Sequence, residues 1–300
     1  MQQWSCPEIE DIISKQTCSL NVSPTAISLT LQKIYGSDLI YAILANTLFA
    51  CLSKKIFLEY NEKFGTCSIK GIVTNIQTCS PQSVWELNVI LSDIIEYDQV
   101  VKHGSILVIN HAQRFVEYFE PNGSVSWTLP CGTILQEWAM RQYPTYSFIS
   151  PNDFCPIGLQ QVTKQDTCWL WSLFYFYLRV KCPSTNPQTI INNLLNRGPL
   201  EISNLLIKFA CFIKTFAGEH KIGTVYSFYK EAKDQIVKIA INAGDKHYAH
   251  YLDSFIRTID TMYLSGEVNT LVTTILAYKE LVKKMDPALV ERVRNMTFID

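Results

Sequence analysis

The distribution of apolar and polar positions divides the chain into three parts. Near the start, apolar residues recur at spacings of three and four over Pro7–Lys15 and Pro24–Tyr35, which indicates helices. From Ile56 to Ile95 the segments are rich in β-branched and aromatic residues and are broken by Gly and Pro, which indicates strands. From Pro187 onward the periodicity is again that of helices, nearly to the last residue.

The central segment combines further strands with helices. Ser105–Asn110 and Phe115–Phe119 are predicted to be strands joined by a short turn, and a Pro-Asn-Gly sequence ends the second strand. Ile134–Gln142 has the pattern of an amphipathic helix, and Thr145–Ile149 that of a strand. Cys168–Val180 is continuously apolar, and its lack of alternation predicts a buried helix.

A second long apolar run covers Leu39 to Leu52 and contains Asn46 and Thr47. A transmembrane helix needs roughly 20 apolar residues, which is longer than either run. Both are therefore predicted to be buried helices, the first capped by Ser37-Asp38, and no membrane span is expected.

These elements predict an α+β fold with a central mixed or antiparallel sheet and a buried helix that bears Cys168. The predicted organisation is a helical N-terminal region over residues 1–55, a core over residues 56–217 and a helical C-terminal region over residues 218–300. Candidate helices of the last region are Thr224–Asn242, Lys246–Leu264 and Glu267–Lys284.

Composition narrows the function classes. A chain of 300 residues that is 48% hydrophobic can bury a sizeable core. The net charge of −1 provides no basic field, so nucleic acid is not a predicted partner.

Ten cysteines are scattered along the chain without a CxxC pair, so a zinc ribbon is not indicated. A long, core-rich chain argues against a disulfide scaffold, and the N-terminal residues lack the pattern of a signal peptide. The expectation is a reducing, cytosolic setting in which most thiols act as small buried hydrophobes.

Four polar residues in apolar surroundings carry the candidate chemistry: His103, Glu120, Gln160 and Cys168. An imidazole activates a thiol by accepting its proton, and a carboxylate on the far side of the ring fixes the orientation of the imidazole. A side-chain amide can stabilise the developing oxyanion. Cys168 at the start of a helix would also gain from the helix dipole, with Asp166-Thr167 as capping residues. Together they form the parts of a thiol hydrolase.

Other residues compete for these roles. His111 also precedes a strand but is expected in an exposed turn, and strand alternation places Glu117 on the other face from Tyr118. Gln161 is the alternative to Gln160. No metal or other cofactor is predicted.

Two further groups have structural interpretations. Arg179, within an apolar helix, requires a partner and is expected to anchor the fold through a carboxylate. His247 and His250 lie one helical turn apart, where a solvated helix face is favoured over a metal site.

The strings KHGSILVINHAQRFVEYFEPNG and GLQQVTKQDTCWLWSLFYFYLRVKCP resemble the adenain-like and SUMO-protease clan of cysteine peptidases. More narrowly, they are similar to uncharacterised adenain-like proteins of large DNA viruses. The resemblance covers roughly Val84 to Phe216. The matching residues are Phe119, Glu120, Pro121 and Gly123 in one string, Gly158 and Gln160 in the next, and Cys168, Trp171, Ser172, Tyr175 and Arg179 in the last.

The resemblance implies that His103 is the general base, Glu120 its orienting acid, Gln160 the oxyanion donor and Cys168 the nucleophile. It implies a polypeptide substrate, either a viral structural protein or a ubiquitin-like conjugate, and a location in the host cytoplasm or the virion. The alternative is a virion structural or interaction protein on an inactivated peptidase fold. Trp169 stands where the wider clan has Gly, and its bulk would narrow the acyl pocket.

Overall fold

The computed structural model describes residues 23–35, 37–74, 83–97 and 99–219, together with residues 230, 258 and 259. Its elements, in chain order, are helices α1 (Pro24–Tyr35) and α2 (Ser37–Thr47), strands β1 (Ala50–Asn61), β2 (Thr66–Val73), β3 (Trp85–Glu96), β4 (Gln99–Asn110) and β5 (Phe115–Phe119), helix α3 (Thr128–Gln142), strand β6 (Ser147–Ile149), and helices α4 (Pro151–Phe154), α5 (Leu159–Thr163), α6 (Cys168–Lys181), α7 (Pro187–Leu195) and α8 (Pro199–Glu219).

The six strands form one mixed sheet in the order β2-β1-β3-β4-β5-β6. The β1–β3 and β5–β6 pairs are parallel, and the β1–β2, β3–β4 and β4–β5 pairs are antiparallel. Helices pack beside this sheet, so the fold is α+β, as predicted from the sequence.

Strands β1, β3, β4 and β5 contribute residues to two apolar layers, because successive side chains of a strand point to opposite faces. On β4, Ile106 and Val108 belong to the larger layer, which includes residues of α1, α2, α6, α7 and α8. Leu107 and Ile109 belong to the smaller layer, which is covered by α3 through residues such as Leu135. Helix α6 therefore lies within the larger core.

Helix α6 meets the sheet through polar side chains spaced by three and four residues, which places them along one helix face. The Ser172 hydroxyl donates to the carbonyl of Gly104 on β4 at 3.4 Å. The Tyr175 hydroxyl donates to Glu117 on β5 at 3.0 Å, and Arg179 donates two hydrogen bonds of 2.7 Å to the same carboxylate. Arg179 thus anchors the fold through a carboxylate, as predicted.

The apolar surroundings complete this anchor. The Arg179 guanidinium lies 5.6 Å from the ring centroids of both Trp85 and Phe115, within the range of cation–π attraction. Its remaining nitrogen donates to the carbonyl of Thr185 at 2.8 Å. Burial would lower the pKa of Arg179, but hydrogen bonds to Glu117 and the charge of that carboxylate raise it, so the guanidinium stays charged.

Several element boundaries differ from the sequence predictions. The predicted helix over Leu39–Leu52 ends at Thr47, and β1 begins at Ala50, because Phe49 has a positive φ of 54° that interrupts the helix. Strand β4 begins at Gln99 rather than Ser105, so His103 lies inside a strand, and α3 begins at Thr128 rather than Ile134. Pairing with β3 extends β4 beyond its most apolar residues.

The cysteines contradict the expectation of a mostly reduced chain. Cys67 on β2 and Cys131 in the first turn of α3 form a disulfide with their Cα atoms 5.1 Å apart. Cys51, Cys182 and Cys211 are also disulfide-bonded. Among the residues that the structure describes, the free cysteines are Cys155 and Cys168. Disulfides are typical of oxidising compartments, so the prediction that most thiols are small buried hydrophobes is wrong for this part of the chain.

Some predictions fall outside the described residues: the helix over Pro7–Lys15, the helical segments after residue 219 and the pair His247 and His250. Within the described ranges, every helix is too short or too polar to cross a bilayer.

Removing one side of the buried ion pair is expected to destabilise the fold strongly. Arg179→Met leaves the Glu117 carboxylate buried without its cation, so the free energy of unfolding should fall by about 3–5 kcal/mol in urea denaturation. Lys70→Met is the matched control, because Lys70 pairs with Glu59 while 53% exposed and should change stability by less than about 1 kcal/mol. Equal effects of the two substitutions would contradict the anchoring role.

Replacing Cys67 and Cys131 together by serine is expected to lower the free energy of unfolding by about 2–4 kcal/mol, because the bond closes a segment of 64 residues. Thiol titration of the unfolded proteins without reductant checks the bond itself. Wild type and variant should give the same number of thiols; two fewer in the variant would show that the bond is absent.

Candidate active site

His103 and Glu120 lie at the same end of the β4–β5 pair. Ile106 on β4 and Phe119 on β5 are the last paired residues at this end. Glu120 follows Phe119 directly, and His103 lies three residues before Ile106 on β4. The two side chains meet with His103 Nε2 at 2.6 Å from Glu120 Oε1, and both residues are buried. The hairpin therefore brings together the predicted base and its predicted orienting acid.

Other donors fix the carboxylate of Glu120. The backbone N–H of Asn122 donates to Oε1 at 2.9 Å, and the Tyr118 hydroxyl donates to Oε2 at 3.3 Å. Burial and the negative charge of Glu120 raise the pKa of Tyr118, so this phenol keeps its proton and remains a donor. The carboxylate is thereby held toward His103.

Cys168 lies on the other side of the imidazole. It is the first residue of α6, and a Cβ placed on Gly104, the neighbour of His103, would lie 3.9 Å from the Cys168 sulfur. Since Ser172 binds the Gly104 carbonyl one turn further along, the same helix face sets the position of the thiol. Cys168 is free and only partly buried.

The surroundings of His103 favour its protonated form. Burial alone would lower its pKa, but the Glu120 carboxylate and the hydrogen bond with Cys168 outweigh this effect and raise the pKa to about 10. Because Glu120 occupies Nε2, Nδ1 is the ring nitrogen that remains for Cys168.

Gln160 is brought to the Glu120 loop by two glycines that pack backbone to backbone. A Cβ on Gly158 would overlap Pro121 and Asn122, and a Cβ on Gly123, where φ is +68°, would overlap Gly158. This contact allows the Gln160 N–H to donate to the carbonyl of Pro121 at 3.0 Å. The side-chain Oε1 of Gln160 is buried and makes no hydrogen bond.

The expectation that Thr167 caps α6 needs correction. Thr167 occupies the N-cap position but makes no capping hydrogen bond, and its hydroxyl is buried without a partner. The ring of Trp169 packs edge-on against Tyr41 at 6.3 Å, and Cys168 stays partly exposed.

The competing residues have other roles. His111 Nε2 lies 3.1 Å from Glu86 and its Nδ1 lies 3.0 Å from the Tyr146 hydroxyl. Burial would raise the pKa of Glu86, but His111 and nearby donors lower it to about 2. Glu117 binds Arg179, and the exposed Gln161 accepts from the N–H of Gly158 at 3.4 Å.

Sequence reasoning missed the part played by Trp127. Its ring centroid lies 5.7 Å from that of His103, with the ring planes tilted by 59°. No periodicity marks this residue, which lies between the Gly123 turn and α3. A signal for the helix anchor was present, however, in the spacing of Cys168, Ser172, Tyr175 and Arg179.

Comparison of this chain with known protein families, with curated proteins and with solved structures finds no match.

Replacing Glu120 by glutamine is expected to lower the pKa of His103, because the carboxylate is the main cause that raises it. In wild type, the imidazolium should persist to about pH 10, as measured by ¹⁵N NMR of the histidine rings. Since the pKa lies above its ordinary value of 6.5, this pair stabilises the fold fully below about pH 6.5, and the contribution is lost as pH rises through about 10.

His111 provides the internal control, because it belongs to a separate cluster with Glu86 and Tyr146 and the substitution should leave its ring signals unchanged. An unchanged His103 titration in Glu120→Gln would contradict the charge pairing.

Proposed function

We propose that this chain is a cysteine peptidase or isopeptidase that acts through Cys168, His103 and Glu120, with Gln160 as the oxyanion donor. The observation that carries the proposal is the convergence of three side chains: Glu120 Oε1 lies 2.6 Å from one nitrogen of the His103 ring, and the sulfur of Cys168, a partly exposed free thiol, lies against Gly104 beside that ring. These are the groups required for an activated thiol nucleophile.

In the proposed reaction, the Cys168 thiolate attacks the carbonyl carbon of an amide bond, and the carbonyl electron pair moves to oxygen. The side-chain amide of Gln160 stabilises this oxyanion. When the tetrahedral species collapses, the imidazolium of His103 gives its proton to the departing amine, and an acyl-enzyme remains.

Hydrolysis of the thioester completes the cycle. Neutral His103 takes a proton from water as the water oxygen attacks the acyl carbon, and the Cys168 thiolate leaves. The imidazolium and the thiolate are then restored together. Glu120, held by Asn122 and Tyr118, orients the ring throughout.

The fold expected from this proposal is the adenain-like one. Its support is the placement of the cysteine on the first residue of a buried helix, with the histidine and acid on an adjacent antiparallel pair of strands. The polar face of that helix, Ser172, Tyr175 and Arg179, also explains why these residue types recur in the resembling sequences. A polypeptide substrate in a virus-infected cell or a virion is part of the same proposal.

Alkylation with iodoacetamide followed by peptide mass spectrometry tests the nucleophile. Cys168 should react at pH 7, and His103→Ala should slow this reaction at least about tenfold because the thiolate loses its counter-ion. Cys155 is the internal control: it is free but buried, and burial raises the pKa of its thiol to about 12, so it should stay unlabelled.

Incubation with a proteome-derived peptide library tests the reaction itself. New N-termini should form with wild type and be absent with Cys168→Ala. Cleavage that persists in Cys168→Ala would sink the proposal. So would the absence of cleavage with an unreactive Cys168, a result that would favour a virion structural or interaction protein on an inactivated fold.

A further inference from the structure

The His103 ring has a third neighbour besides Cys168 and Glu120. Trp127 lies with its ring centroid 5.7 Å from that of His103, a distance at which the face of an indole attracts a cation. Trp127 is partly buried, whereas His103 is buried. The indole is therefore a direct neighbour of the imidazole and limits the movement of that ring on one side.

The backbone on the N-terminal side of Trp127 is held by a compact set of hydrogen bonds. The Thr128 hydroxyl donates to the carbonyl of Gly123 at 2.7 Å and accepts from the N–H of Val125 at 3.1 Å. The N–H of Thr128 donates to the carbonyl of Val125 at 3.0 Å. The turn that contains Gly123 is itself packed on Gly158, so Trp127 is linked to the Gln160 loop.

The backbone on the other side is tied to the sheet. The N–H of Cys131 donates to the carbonyl of Trp127 at 3.0 Å, and Cys131 is cross-linked to Cys67 on β2. Trp127 is therefore fixed both by the turn before it and by a covalent link one helical turn after it.

The indole N–H takes no part in holding the side chain. Trp127 Nε1 is buried and has no hydrogen-bond partner. The contacts of the indole are therefore packing contacts, with the smaller core layer and with His103.

The charges that face His103 are few. Glu120 comes from the end of β5, with the neutral Tyr118 phenol behind it, and Cys168 comes from α6. The cross-strand neighbour on β3 is Ser92, which is uncharged. An indole face beside this ring can thus add to the stability of the imidazolium without a competing charge.

We propose that Trp127 is a positioning residue, which holds the His103 ring as an imidazolium in the orientation that joins Glu120 to Cys168. This inference rests on the proposed function, because it concerns the same thiol site. The contact and the two backbone anchors carry it.

The test is the pH profile of Cys168 alkylation by iodoacetamide in the full-length protein. Trp127→Leu keeps an apolar side chain but removes the aromatic face. The alkylation rate at pH 7 should fall roughly three- to tenfold, and the acid limb of the profile should move to higher pH, because a weaker imidazolium stabilises the thiolate less. Trp127→Phe keeps an aromatic ring at this position and should keep the alkylation rate within about twofold of wild type.

Trp138→Leu is the matched control, because Trp138 lies within α3, is buried in the smaller core layer and packs its ring edge-on against Tyr143. It should lower the melting temperature and leave the alkylation profile unchanged. A wild-type profile in Trp127→Leu, or equal losses in Trp127→Leu and Trp127→Phe, would overturn the positioning role. An unreactive Cys168 in wild type would instead defeat the proposed function, so the two failures are distinguishable.

Discussion

Helix α6 places the guanidinium of Arg179 in the apolar interior, where the Glu117 carboxylate on β5 neutralises its charge. The two hydrogen bonds from Arg179 and the one from Tyr175 satisfy the carboxylate in surroundings that would penalise either charge alone. These bonds fix the rotation of α6 about its axis and its position along that axis. They therefore also fix the position of its first residue, Cys168, beside His103.

The apolar periodicity predicted the α+β class and most of the elements, because helices and strands of a large core are strongly patterned. It placed the start of β4 too late, since the exposed residues Gln99 to Lys102 are held by pairing with β3 rather than by burial of their own side chains. The helix over Leu39–Leu52 was predicted too long because an apolar run does not record the turn at Phe49.

The candidate site shows a similar division. The residue types and order of His103, Glu120, Gln160 and Cys168 were readable from the sequence. The contact between Gly123 and Gly158 was not, because it joins two loops that have no periodic pattern. Trp127 was missed for the same reason. The disulfides could not be predicted, since the number and spacing of cysteines in a sequence do not show which of them approach one another in the fold.

The disulfide between Cys67 and Cys131 and the free thiol of Cys168 impose opposite demands on the chemical surroundings of one chain. A strong reductant that keeps Cys168 nucleophilic also opens the cross-link next to Trp127, whereas an oxidant that preserves the cross-link threatens the thiol with sulfenic acid formation. The intact Cys67–Cys131 disulfide and the reduced Cys168 thiol therefore coexist only under mild reduction.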